Sequence, residues 1–547
     1  MSASSKKKLR SEERAAKLTE RQLEAQKEAK KLTMMTRLFV GVLAVVVVIA
    51  AVVGTSNIIA SSGIREKKTL ALTVDSHEIS NAEMNYFFMD AVNNFTQNYG
   101  SYASLFGLDT TKPLNEQFVN EDEGLTWADD FMAQATETAK SIYAMYDAAI
   151  AAGHTLTEAE LASLESTLSN MKAYAVLYGY QNFEDYVKAM YGVGASEESF
   201  RAYMETNMLA QSYFNAYKTN LTYDDAAIRA ADAEDPTVYN SYSYNYYNVN
   251  VSKFLTGGTE AEDGTITYSD EERAAAVAAA EDVAKSLTAE EIETVEDLDA
   301  AIAALEVNAD VENAASTAVV DTPKASVMGV MRDWVADPAR EIGDVTYIEN
   351  ATTTTAEDGT ETKTVSGYYV VMFNGLEDNT FALKNVRHIL VAFQGGTYDS
   401  TTGMTTYSDQ EKLDAKMAAE QILTDWESGK ATEETFAQMA NELSDDGDGT
   451  TGGLYEDIYP GQMVAAFNDW CFDDARKVGD TGIVETEYGY HVMYFVGDAE
   501  TSYRDYLIQN TLRTEDTNAW YAALIEAQTV TEGNTEYVDT DLVLSRG

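Results

Sequence analysis

An ordered series of four patterns occurs twice in this 547-residue chain, and that repeat constrains the fold more than any other feature. Residues 267–270 read TYSD and so do residues 406–409. Each places a serine three residues before a glutamate at a helix start, Ser269 with Glu272 and Ser408 with Glu411, the signature of a capping box. A stripe of Leu298, Ala301, Ile302 and Leu305 then returns as Phe436, Met439, Ala440 and Leu443, both at i, i+3, i+4, i+7 and hence on one helix face. DWVADPAREIGD from Asp333 returns as DWCFDDARKVGD from Asp469, and GYYVVMFNG from Gly367 returns as GYHVMYFVG from Gly489. The offset is 139, 138 and 136 for the first three and falls to 122 at the last, because NATTTTAEDGTETKTVS lengthens a loop of the first copy. Alanine-rich helices resemble one another by chance, but four matches in one order indicate a duplicated α+β unit.

The copies differ in their histidines. Of the four in the chain, His388 and His491 sit mid-strand in the second copy, in NVRHILVAF and TEYGYHVMYFVG. The first copy has none: Tyr369 stands in the place of His491, YNYYNVNV replaces NVRHILVAF, and no counterpart of the segment GQMVAAF is recognisable. Between the two histidines lie ETFAQMANELSDD and GGLYEDIYPGQMVAAF. In that order, across about 110 residues, these elements resemble the parvulin (rotamase) family of peptidyl-prolyl cis/trans isomerases.

The chemistry that this resemblance implies is modest in its demands. An X-Pro bond isomerises over a barrier of about 20 kcal/mol because amide resonance is broken in the twisted state. Lowering it takes a grip on the proline ring and an environment that favours the twisted bond, with no nucleophile, metal or cofactor. The resemblance assigns His388 and His491 to the paired histidines beneath the reacting carbonyl, Thr486 to the hydroxyl beside them, and Asp446 to the position next to the substrate carbonyl. It assigns Met463 and Phe467 to the proline pocket, with Leu454 as a third apolar wall. The family's GGDLG-like turn is altered here to Gly452, Gly453, Leu454, Tyr455 and Glu456, which bears on pocket shape and substrate entry. The stretch QGGTYDSTTGMTTYSD has no Lys or Arg, so recognition of phosphate before proline is not expected. Asp445, Asp446 and Asp448 cluster like calcium donors, but an EF-hand loop starting at Asp446 would want Gly and Glu where Thr451 and Asp457 stand. Cys471 is the only cysteine, so no intrachain disulfide forms, and its place on a helix suits a packed thiol.

The rest of the chain reads as a foldase built around that unit. Residues 1–37 are a basic tail with 11 Lys/Arg against 5 Asp/Glu, and residues 38–60 are an apolar run of 23, long enough to span a bilayer. The positive-inside rule leaves the tail in the cytoplasm and the bulk of the chain outside, a single-pass membrane protein. The tail is too long for an ordinary signal peptide, although IIASSG offers a cleavage-like site. Foldase lipoproteins of this kind carry a lipidated cysteine after the apolar run, and none stands here, so the helix itself is the expected anchor.

Residues 61–235 read as a mainly helical domain, opened by the strand and turn LALTVDSHEIS and the capping box of Ser80 with Glu83, and resemble the chaperone region of PrsA- and SurA-type foldases. Residues 236–378 are the degenerate parvulin-like copy and 379–499 the intact one. Residues 500–547 supply a helix and a short strand, TEYVDTDLVL, expected to return to the chaperone domain. The fold class is thus multidomain α+β. Beyond the tail the formal charge is −59, which excludes nucleic-acid partners and keeps the chain soluble. The expected partners are unfolded secreted polypeptides with X-Pro bonds. A holdase that uses both parvulin folds only to bind clients is the alternative, and the oligomeric state is left open, a dimer included.

Overall fold

The computed structural model describes residues 63–260, 265–356, 359–447 and 449–544. The basic tail and the apolar run at 38–60 lie outside the described residues, and among the described residues no helix is long and apolar enough to cross a membrane. The described residues form two compact units, 63–222 with 513–544, and 223–512.

In the first unit a hairpin of β1 (Leu70–Val74) and β2 (His77–Ser80) leads into helix α1 (Asn81–Tyr99). Ser80 accepts from the backbone of Glu83 while the Glu83 carboxylate accepts from that of Ser80, so both arms of the capping box are made. Helices α2 (Trp127–Ala151), α3 (Glu158–Leu177), α4 (Phe183–Tyr191) and α5 (Glu197–Asn220) complete the module. One core fills it, with Tyr86, Phe87 and Phe88 of α1, Phe131 of α2 and Phe200 of α5 all buried.

The C-terminal segment enters this same core through Val538, Leu542 and Leu544. Its strand is Val530–Glu532, paired antiparallel with β1, and not the TEYVDTDLVL stretch expected to be one. That stretch is bound differently: two buried asparagines one turn apart on α1 hold its first half, and Val543 makes a single antiparallel bridge to Pro113. The Asn81 amide donates to the Asn534 carbonyl and accepts from the Tyr537 N–H, and Asn85 accepts from the Asp539 N–H.

In the second unit helix α6 (Asp225–Glu234) precedes the two copies. The first copy runs β3 (Ser241–Asn250), α7 (Asp270–Ser286), α8 (Val295–Ala303), β4 (Thr317–Pro323), α9 (Gly329–Val335), β5 (Val345–Thr355) and β6 (Glu361–Glu377), with sheet order β4-β3-β6-β5. The second runs β7 (Ala382–Ala392), α10 (Asp409–Glu427), α11 (Glu433–Leu443), β8 (Leu454–Ile458), α12 (Ala465–Cys471), β9 (Thr481–Thr486) and β10 (Gly489–Ser502), with sheet order β8-β7-β10-β9. Element for element the two sheets are the same. The lengthened loop of the first copy is a hairpin extension, since β5 and β6 stay paired from Val345–Met372 out to Thr355–Glu361. Its threonine-rich composition suits a strand pair.

Strand alternation puts each copy's two helical layers on opposite sheet faces. In the second copy Ile389, Val391, Tyr490, Val492 and Tyr494 pack under α10 and α11, against Ala415, Ala419, Phe436 and Ala440. On the other face Val386, Met493 and Phe495 pack with Phe467 and Cys471 of α12. Burial lifts the Cys471 thiol to about 12, so it stays an inert packing group.

Register identifies what the first copy has lost. His388 lies opposite Met493 and His491 opposite Leu390, while Val371 lies opposite Tyr246 and Tyr369 opposite Asn248. Tyr246 and Tyr369 therefore stand where the second copy has its histidines, edge to face with centroids 6.0 Å apart. The segment that sequence comparison could not find is also present. Val327 and Met331, both buried before and on α9, hold the positions of Met463 and Phe467.

Candidate active site

The site lies on the α12 face of the second copy's sheet. It is positioned by a close approach of β8 to β7. The His388 N–H donates to the Gly453 carbonyl at 2.9 Å. Gly453 has φ +66°, and a Cβ there would lie 2.2 Å from the His388 carbonyl oxygen, so a residue with a side chain would push the strands apart. Arg387 fastens the same turn, donating to the Thr451 and Gly452 carbonyls and pairing with Glu433 at 2.9 Å.

Past His388 the edge of β7 is satisfied by a loop. Ser444 accepts from the Leu390 N–H, the Asp445 carboxylate accepts from the Ala392 N–H, and the Asp445 N–H donates to the Leu390 carbonyl. Those three bonds carry Asp446 to the side of His388.

Five side chains then form one hydrogen-bonded row. Tyr455 donates its hydroxyl to Asp446 Oδ2 at 2.8 Å, and His388 Nε2 lies 3.2 Å from the same oxygen. His388 Nδ1 meets His491 Nδ1 at 3.1 Å, and His491 Nε2 meets Thr486 Oγ1 at 2.9 Å. With both rings neutral the network admits one proton arrangement. His388 donates from Nε2 to the carboxylate, His491 donates from Nδ1 to His388, and Thr486 donates to His491 while accepting from the Tyr488 N–H at 3.2 Å. A proton added at His491 Nε2 reverses the last bond of the row, with Thr486 then turning its hydroxyl toward the Gly489 carbonyl.

Above the row is a cavity of about 300 Å³ lined by His388, Leu390, Asp446, Tyr455, Gln462, Met463, Val464, Phe467, Tyr488 and His491. Phe467 stands edge to face against both histidines, at 5.4 and 5.3 Å between centroids. The structure thus brings His388, His491, Thr486, Asp446, Met463 and Phe467 together. Leu454 is the exception: strand alternation turns it off the cavity, and its neighbour Tyr455 supplies the wall. The sequence signal for Tyr455 is the altered turn itself. Asp448 lies outside the described residues, and among the described residues no group of three acidic, histidine or cysteine side chains is placed to hold a metal.

The hydrogen bond from His388 holds the Asp446 carboxyl well below the usual carboxylate range. Burial, then the charge of His388, pushes His491 down from 6.5 to about 4, and burial and Asp446 push the Tyr455 hydroxyl up to about 12. Unfolded, His491 takes up a proton near pH 6.5, and folded it does so only near pH 4. Between those values the unfolded state binds more protons, so this domain's stability falls as pH drops from 6.5 towards 4, by about 1.4 kcal/mol for each pH unit. Asp446 continues the fall, because the stability held by its lowered carboxyl is lost as pH drops below its ordinary 3.8. Urea unfolding at pH 7, 5.5 and 4.5 checks this, and His491→Gln flattens the profile above pH 4.5.

Residues 368–498 match the family model described as the PPIC-type PPIase domain. Over 131 residues the chain is 31% identical to foldase protein PrsA 1 of Listeria monocytogenes serotype 4b and 30% identical to that of Listeria innocua serovar 6a. Each match takes in 24% of this chain and 40% of the relative, so the chain spans less than half the length of these curated relatives. Among solved structures, PrsA from Bacillus subtilis is 12% identical, covering 74% of this chain and 86% of that one with a TM-score of 0.26. Peptidylprolyl isomerase PrsA from Bacillus anthracis is 19% identical, over 27% of this chain and 59% of that one, with a TM-score of 0.17. On its family match, its curated relatives and the histidine row beneath an apolar cavity, the second copy is a parvulin-type peptidyl-prolyl isomerase domain.

Proposed function

We propose that this chain is a membrane-tethered foldase. The second copy catalyses X-Pro isomerisation in unfolded secreted polypeptides. The helical unit and the first copy hold those clients, and residues 38–60 keep the chain at the membrane with its bulk outside. The observation that carries the catalytic part is the unbroken row from Tyr455 to Thr486 under the cavity walled by Met463 and Phe467. A prolyl ring inserted against Met463 and Phe467 would set its preceding carbonyl above polar groups that can follow the charge and direction of a rotating amide. No step calls for a cofactor. His388, His491, Asp446 and Thr486 act on the amide, and Met463, Phe467 and Tyr455 grip the ring.

A second reading has one observation in its favour: the first copy keeps the same sheet with Tyr246 and Tyr369 in place of the histidines, so the fold forms without the histidine pair. On that reading the chain is a holdase. Refolding of a client whose slow phase is prolyl isomerisation separates the two. The full chain in detergent micelles is expected both to speed the slow phase and to suppress aggregation. Suppression without acceleration supports the holdase, and neither effect overturns the foldase reading.

A further inference from the structure

The isomerase reading leaves open what holds Asp446 in place. Asp446 sits on a loop, its side chain is 39% exposed, and an ionised carboxylate so placed is free to turn into water unless a second group holds it. Beside the Gly447 N–H of its own loop, Tyr455 is that group. It projects from β8, whose position Gly453 fixes, and its hydroxyl reaches the same oxygen, Oδ2, that faces His388 Nε2. The Tyr455 ring also lies over the His388 ring, 4.7 Å between centroids and tilted by 32°. Register supplies an internal comparison. Tyr455 pairs across from Val386 and Val319 from Tyr244, which are equivalent positions in the two copies. The copy that has no histidine pair has a valine where the other has the hydroxyl.

We propose that Tyr455 is a positioning residue of the isomerase domain: by holding Asp446 against His388 it fixes which ring nitrogens of His388 and His491 carry protons. With Asp446 held, His388 is protonated at Nε2 and bare at Nδ1, His491 is protonated at Nδ1, and its Nε2 receives Thr486. Without that hold the pair can relax to the opposite arrangement, and the row beneath the substrate amide is no longer of one polarity. The Tyr455 ring lines the cavity, but its hydroxyl acts through Asp446.

The test uses the full chain, ¹⁵N-labelled at histidine, with Tyr455→Phe, which keeps the ring and removes the hydroxyl. Long-range ¹⁵N–¹H spectra at pH 7.5 are expected to show single tautomers at His388 and His491 in the parent and averaged ones in Tyr455→Phe. With an X-Pro peptide, kcat is expected to fall about tenfold with KM within twofold. In an Asp446→Asn background the same change is expected to have no further effect on kcat, because the two residues act as one unit.

Unchanged tautomers in Tyr455→Phe, or a change confined to KM, overturns the proposal and leaves Tyr455 as a wall of the pocket only. The role rests on the isomerase reading for its kinetic arm alone. Fixed tautomers in a parent chain that does not catalyse exchange would refute that reading while upholding the positioning.

Discussion

Phe467→Ala is expected to cost the second parvulin copy about 3–5 kcal/mol of stability, the usual range for removing a buried phenylalanine. The ring is 1% exposed and packs with Val386, Cys471, Met493 and Phe495 while standing edge-on to both histidines. Its loss opens a void continuous with the cavity, so water reaches the His388–His491 contact from the side the ring now covers. Denaturant unfolding followed by the fluorescence of Trp470, which packs in the same cluster, measures the change. Phe467→Met is expected to cost less than half as much. The first copy carries Met331 at this position and remains packed, with the bulk of Tyr246 and Tyr369 taking up the difference in volume. The two copies fill the same space in two ways, large pocket residue with small rings beneath or the reverse.

His388→Ala, His491→Ala and the double substitution are each expected to lower kcat/KM about 100-fold, with the double no worse than the worse single. Residues that act through one another are not additive, and removal of one preorganised polar group from a dry site has effects of about this size. The singles carry an additional stability cost. Removing His388 leaves the buried His491 Nδ1–H without an acceptor, a penalty of about 1–3 kcal/mol. The double substitution removes both sides of that contact and is expected to be more stable than His388→Ala alone, which equilibrium unfolding of the three variants checks.

Where the chemistry is local, the sequence is enough. The capping boxes at Ser80, Ser269 and Ser408 follow from one turn of helix, and both arms of each are formed. The histidine pair is legible because two mid-strand histidines with flanking motifs leave few arrangements, and the structure brings His388, His491, Asp446, Met463 and Phe467 to one cavity, with Thr486 behind His491. What fails depends on register or on distant groups. Leu454 takes the place of Tyr455 in the sequence reading because a shift of one residue exchanges the faces of a strand, and the register of β8 is set by the backbone contact at Gly453. The strand expected at 535–544 gives way in its first half to Asn81 and Asn85, more than 450 residues away in sequence, whose amides bind the backbone of Tyr537 and Asp539. Val327 and Met331 escape recognition because the apolar character of the position is kept while the motif around it changes.

The measurement that bears most directly on the central claim is cis/trans exchange of an unphosphorylated X-Pro peptide, followed by NMR exchange spectroscopy with the full chain in micelles and with the same chain carrying His388→Ala and His491→Ala. Exchange cross-peaks with the parent and their loss with the double variant are the predicted result. Exchange no faster than in the free peptide, from a folded parent chain, would contradict the account.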